Sequence, residues 1–121
     1  MTSKLITAQL ADVLKQYPLY SQDGKGKDAI CVCTFFIGNV RWYVLEGEPE
    51  GDDFTIFSIM LGCCEPEYGY NSIKEMEGIT IDTGFALLPK VKIMQDLDFK
   101  PCKIGDIPDK RLEEFLSRLY D

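Results

Sequence analysis

Ala29-Ile30-Cys31-Val32-Cys33-Thr34-Phe35-Phe36, then Gly38-Asn39, then Val40-Arg41-Trp42-Tyr43-Val44-Leu45, is the stretch on which the fold turns. Its first eight residues are rich in β-branched and aromatic side chains and too few for a typical helix. That is the pattern of a strand buried on both faces. Gly38-Asn39 is a turn signal, and the second run alternates, with Val40, Trp42 and Val44 on one face and Arg41, Tyr43 and Leu45 on the other. The two runs predict a β-hairpin whose first strand is central in the sheet.

Moving towards the C-terminus, residues 46–53 carry five acids in eight positions, together with Gly47, Pro49 and Gly51. This composition predicts an exposed connection. Phe54 to Leu61 reads as a third strand, and three sequential strands with short links form an antiparallel meander. Ser72-Ile73-Lys74-Glu75 matches a capping box, which predicts a short helix over Ile73 to Glu77 stopped by Gly78. Ile79-Thr80-Ile81 and Lys90 to Met94 alternate like edge strands. Near the end, Leu112, Phe115, Leu116, Leu119 and Tyr120 form one helical stripe behind Asp109 as cap.

Towards the N-terminus, Ile6, Leu10, Val13, Leu14 and Tyr17 share one helical face, predicting a helix from Ala8 to Gln16 with Thr7 as N-cap. Pro18 ends it. The fold class that follows is α+β: a single domain over residues 1–121, an antiparallel sheet of about four or five strands, with the N- and C-terminal helices packed on it and covering a face.

Composition narrows the function. A chain of 121 residues suits one domain, and 45% hydrophobic and 27% charged residues are ordinary for a globular protein. No apolar run approaches membrane-spanning length, and no secretory stretch follows Met1, so the expected setting is cytoplasmic. Five cysteines, an odd number, fit buried thiols in a reducing compartment. The net charge of −7 is evenly spread: residues 1–60 hold 5 basic and 8 acidic groups, residues 61–121 hold 8 and 12. This balance argues against nucleic acid as partner. The chain has no histidine, which removes the commonest general base and metal ligand.

Several segments suggest chemistry. Asp23-Gly24-Lys25-Gly26-Lys27-Asp28 could cradle a phosphate, but lacks the spacing of a nucleotide-binding loop. Cys31 and Cys33 would share one strand face, while adjacent Cys63 and Cys64 would diverge, and neither pair has metal-knuckle spacing. No cofactor or metal is called for. Glu65-Pro66-Glu67-Tyr68-Gly69-Tyr70 sets two carboxylates beside two phenols, an arrangement that needs a third partner to work as acid and base or to hold a cation. The simpler reading is a turn into the Ser72 helix, with Tyr70 packed as its staple. The acidic run at 46–53 could imitate a phosphate backbone, or be a solvated loop.

Pro18-Leu19-Tyr20-Ser21-Gln22-Asp23-Gly24, with Phe35-Phe36, Trp42-Tyr43, Glu65, Glu67, Gly69-Tyr70, Ser72, Asp96, Phe99 and Pro101, resembles an uncharacterised bacterial family of the DUF2958 type, frequent on plasmids and conjugative elements. The resemblance spans about residues 5 to 105. Tyr17 stands where that family often has a second proline, and Ser58 replaces a common glycine. The resemblance implies that Tyr20, Ser21, Gln22, Glu65, Glu67, Tyr70 and Asp96 belong to one shared feature. No catalytic residue can be assigned. The leading expectation is an accessory protein of a mobile element that binds another protein. The alternative is a small metal-dependent hydrolase or nucleotide-processing enzyme using Glu65, Glu67 and Asp96, with Tyr20 and Gln22 positioning substrate.

Overall fold

The structure, a computed structural model, describes residues 5–62, 65–81 and 90–120. It is an α+β fold. The chain runs α1 (Ala8–Leu14), β1 (Ile30–Cys31), β2 (Cys33–Ile37), β3 (Val40–Glu50), β4 (Asp53–Leu61), β5 (Glu67–Ser72), α2 (Ile73–Glu77), β6 (Thr80–Ile81), β7 (Val91–Lys92), β8 (Met94–Gln95), β9 (Cys102–Lys103) and α3 (Lys110–Leu119). Five strands form an antiparallel sheet in the order β5-β4-β3-β2-β8, and two-residue ladders join β1 to β9 and β6 to β7. The middle strand is β3, not the first strand of the hairpin, because β4 and β5 add in turn on the far side of β3 while only β8 adds beyond β2.

The helices take opposite faces instead of sharing one. On one side Leu10 and Leu14 of α1 and Ile73 and Met76 of α2 pack with Phe35, Ile37, Trp42, Val44 and Ile56. On the other, Leu112, Phe115 and Leu116 of α3 pack with Tyr43, Leu45, Ile59 and Leu61. Covering both faces explains why β2 and β4 read as nearly continuous apolar runs, and burying each large side chain contributes about 2 kcal/mol. The caps are those expected: Thr7 Oγ1 accepts from Leu10 N, Ser72 Oγ from Glu75 N, and an Asp109 carboxylate oxygen from Arg111 N.

Three sequence expectations are revised. Cys31 and Cys33 do not share a face: the chain breaks between β1 and β2 at Val32, so Cys31 enters the α3-side core and Cys33 the α1-side core. Residues 46–53 are not an exposed connection but the far half of the β3–β4 hairpin, paired through to Glu50 and Asp53. Residues 67–70 are not a turn but the start of β5, paired along β4. Cys63 and Cys64 lie outside the described residues. No described helix is long and apolar enough to cross a membrane.

Candidate functional site

The far half of β3 extends beyond β2, whose pairing with it stops at Cys33 and Val44. Its open edge is filled by the polar segment that follows α1. Gly47 N donates to Tyr17 O at 3.0 Å, as a neighbouring strand would arrange. Three amides of the segment go to side chains. Leu19 N donates to Glu48 Oε1 at 2.9 Å, Tyr20 N to Glu46 Oε1 at 2.7 Å and Gln22 N to Glu46 Oε2 at 2.8 Å. Ser21 N closes a turn on Pro18 O at 3.0 Å. Backbone amides that converge on an anion are here already occupied by the chain's own glutamates.

Glu46 is placed for this by a β-bulge. The register of β3 on β4 shifts between Val44 and Glu46, so Leu45 is the extra residue and Glu46 pairs with Phe57. A bulge re-aims the side chain beside it. Here it turns Glu46 inward on the α3 side, where it is only 1% exposed. Gln22, 5% exposed, completes the seam: its Nε2 donates to Ile30 O at 2.8 Å and Leu45 O at 2.7 Å, and its Oε1 accepts from Ile30 N at 2.6 Å. The amide stands in for a strand residue between β1 and β3, with every side-chain hydrogen engaged.

Tyr20 pays for its position in this turn with a left-handed backbone, φ 73°, the one non-glycine residue with positive φ among those described. It occupies the third place of the Pro18–Ser21 turn, where positive φ normally selects Gly or Asn. Its ring is 64% exposed and stands 6.2 Å from that of Tyr70, itself 51% exposed. From there an aromatic ladder runs inward: Tyr70 to Phe57 at 4.8 Å, Phe57 stacked on Tyr68 at 5.5 Å, and Tyr68 to Phe115 at 5.5 Å. Tyr70 is therefore not a staple for α2 but part of a surface shared with Tyr20.

A cleft of about 250 Å³ opens beside this ladder, lined by Gln22, Asp23, Gly24, Glu46, Phe57, Tyr68 and Tyr120 among others. The Tyr68 and Tyr120 hydroxyls bond to each other at 2.9 Å. The Tyr120 ring lies so close to Gly26, φ 52°, that a Cβ there would stand 3.3 Å from it. Burial, the adjacent Tyr20 phenol, Glu46 and Asp23 together raise the Tyr70 phenol above its ordinary range. Burial and the Tyr120 hydroxyl do the same to Tyr68.

The seven residues singled out by sequence thus divide. Tyr20 and Tyr70 meet at the surface, Gln22 is a buried clip beneath them, and Ser21 is exposed in the same turn. Glu65 and Glu67 are exposed at the other end of β5, where Glu67 pairs with Met60. Asp96 follows β8 at the opposite edge of the sheet, where its Oδ2 meets Arg41 Nη1 at 3.3 Å. Four strand spacings, roughly 19 Å, separate those edges, so the three carboxylates do not converge. Among the described residues no group of three or more acids and cysteines is placed to hold a metal ion. Of the other acids, Asp52 pairs with Lys74 at 2.6 Å, and Asp53 accepts from Ser72 Oγ and Lys74 N.

Glu46, Phe57 and Tyr120 were not legible as site residues, and Tyr68 was legible only as one of the two phenols of the Glu65–Tyr70 segment. Only the bulge turns Glu46 inward, and no local pattern announces it. An α+β sheet carrying an aromatic and acidic surface defines the class. The chain belongs to the family described as "Protein of unknown function (DUF2958)", whose model matches residues 5–104. No curated protein and no solved structure matches it.

Proposed function

We propose that this chain is a protein-binding module, an accessory protein of a mobile genetic element, and that the surface around Tyr20 and Tyr70 makes the contact. The observation that carries the reading is Tyr20 itself. A residue held in a left-handed conformation costs roughly 1–2 kcal/mol, and this one places a large ring in solvent beside a second exposed tyrosine. Such strain concentrates at functional positions. Tyrosine is enriched among the residues that dominate protein interfaces, because it buries much area at little cost in side-chain entropy. The mobile-element setting follows from the resemblance of the Pro18–Gly24 and Glu65–Ser72 segments to a family frequent on such elements.

The test is capture from the native cell by in-cell cross-linking of tagged chain, compared with Tyr20→Ala and Tyr70→Ala. A partner retained by the unaltered protein and lost from both variants supports the reading. Capture of nothing above background, or equal capture by all three, sinks it.

A further inference from the structure

Resting on that protein-binding reading, we propose that the cleft between the Gln22–Gly26 segment and the aromatic ladder receives an arginine side chain of the partner. Four features of the cleft select this occupant. Its walls are aromatic, with Phe57, Tyr68 and Tyr120 lining it and Tyr70 at the near end of the same ladder. A guanidinium stacks on such faces and is attracted by the ring quadrupole. Its acids are Asp23 at the exposed rim and Glu46 at the floor, and its lining includes no lysine or arginine.

Glu46 is a buried carboxylate whose two oxygens each accept one backbone amide. A carboxylate offers about four lone-pair sites, so it retains acceptor capacity. The Tyr68–Tyr120 hydroxyl pair adds further acceptor capacity along the wall. The space, about 250 Å³, is large enough for a long side chain with a planar, weakly hydrated head. An anion would meet two acidic side chains with no cation to offset them. The acidic balance of the whole chain, net −7, favours the approach of a basic segment in general.

The experiment uses the full ¹⁵N-labelled chain and two probes of nearly the same shape, Nα-acetyl-arginine methylamide and its uncharged analogue Nα-acetyl-citrulline methylamide. Arginine is expected to give saturable shifts at the amides of Asp23, Gly24, Gly26, Phe57, Tyr68 and Tyr120. Citrulline should bind at least about five-fold more weakly, and Asp23→Asn should weaken arginine by about two- to five-fold. Asp12→Asn, which removes an exposed acid on α1, should leave it unchanged. Equal binding of the two probes, shifts elsewhere, or no saturable shift overturns the inference. A partner captured through Tyr20 and Tyr70 by a chain whose cleft ignores arginine overturns the arginine assignment and leaves protein binding standing. A cleft that prefers arginine in a chain that captures no partner supports the assignment of the cleft and sinks the protein-binding reading.

Discussion

Gln22 donates its backbone amide to Glu46 at 2.8 Å, and the two are among the few polar side chains buried in the core, 5% and 1% exposed. Together they close the seam where β3 outruns β2. Glu46 gathers the amides of the incoming turn, and Gln22 bridges Ile30 and Leu45 with its side chain. Low local dielectric strengthens such a network when complete and makes any unpaired member expensive.

Removing either half should therefore destabilise the fold more than a surface substitution. Glu46→Ala leaves the Tyr20 and Gln22 amides without their acceptor, for an expected loss of about 2–4 kcal/mol. Gln22→Glu should be comparable or worse, since it replaces two donors by acceptors facing the carbonyls of Ile30 and Leu45. Urea unfolding of both variants, read at constant m-value, checks this; losses under about 0.5 kcal/mol would show the seam to be solvated.

Tyr20 separates stability from binding. Tyr20→Gly relieves the left-handed strain of about 1–2 kcal/mol while losing a ring contact with Tyr70 of similar size. Unfolding free energy should stay within about 1 kcal/mol of the unaltered protein, whereas partner capture is lost. Thermal unfolding and the cross-linking comparison are the paired measurements; a strongly destabilised variant would mean the ring is structural.

Two glycines in neighbouring parts of the sheet should respond oppositely. Gly62 has φ 96°, and a Cβ there would overlap the Asn39 carbonyl and crowd Arg111, whose Nη1 bonds Asn39 O at 2.9 Å. Gly62→Ala should cost about 3 kcal/mol or more. Gly69, on edge strand β5, has open space where its Cβ would stand, and Gly69→Ala should be neutral or stabilising by up to about 1 kcal/mol. Denaturant midpoints of the two variants decide it.

Stability should fall on both sides of neutrality. Burial pushes the Cys33 thiol from 9.0 up to about 12 and raises Cys31 well above its usual range. Burial, followed by the Asp109 bond, raises Tyr43. A group whose neutral form is favoured in the fold contributes stability fully below its unfolded pKa and loses it as pH rises through the folded value. Stability should decline from about pH 9 upward, each buried thiol adding a slope of about 1.4 kcal/mol per pH unit, and Cys33→Ala should flatten the curve. At the acid end, burial of Asp109 is outweighed by the Tyr43 hydroxyl and the amides of Arg111 and Leu112, which hold its carboxyl below the usual range. Its contribution is present above the unfolded carboxyl pKa of about 3.9 and disappears as pH falls below that. Urea midpoints measured from pH 2.5 to 10.5 test both limbs, and Asp109→Asn should flatten the acid one.

Much of the architecture was legible because it depends on local spacing. The 3.6-residue stripes of α1 and α3, the capping residues Thr7, Ser72 and Asp109, and the Gly38-Asn39 hairpin each answer to forces acting within a few residues. The alternation at Ile79 to Ile81 and Lys90 to Met94 likewise marked short strands, but not that Thr80-Ile81 would pair with Val91-Lys92 while Met94 joined the main sheet beside β2.

The site depended on contacts far apart in the chain. By itself, the sequence of residues 46–53 determined high charge and the glycine, Gly51, at which the hairpin turns. It could not say that a bulge at Leu45 would turn Glu46 into the core, nor that Tyr20 and Gln22, 26 and 24 residues earlier in sequence, would arrive to meet it while Leu19 met Glu48. A carboxylate's environment is set by what packs against it, and that is long-range. Tyr20 and Tyr70, likewise, became one surface only when β5 paired along β4 and the turn after α1 took the open edge of β3. Local propensity chose the elements; tertiary packing, by placing unsatisfied backbone amides opposite acids, decided which side chains meet.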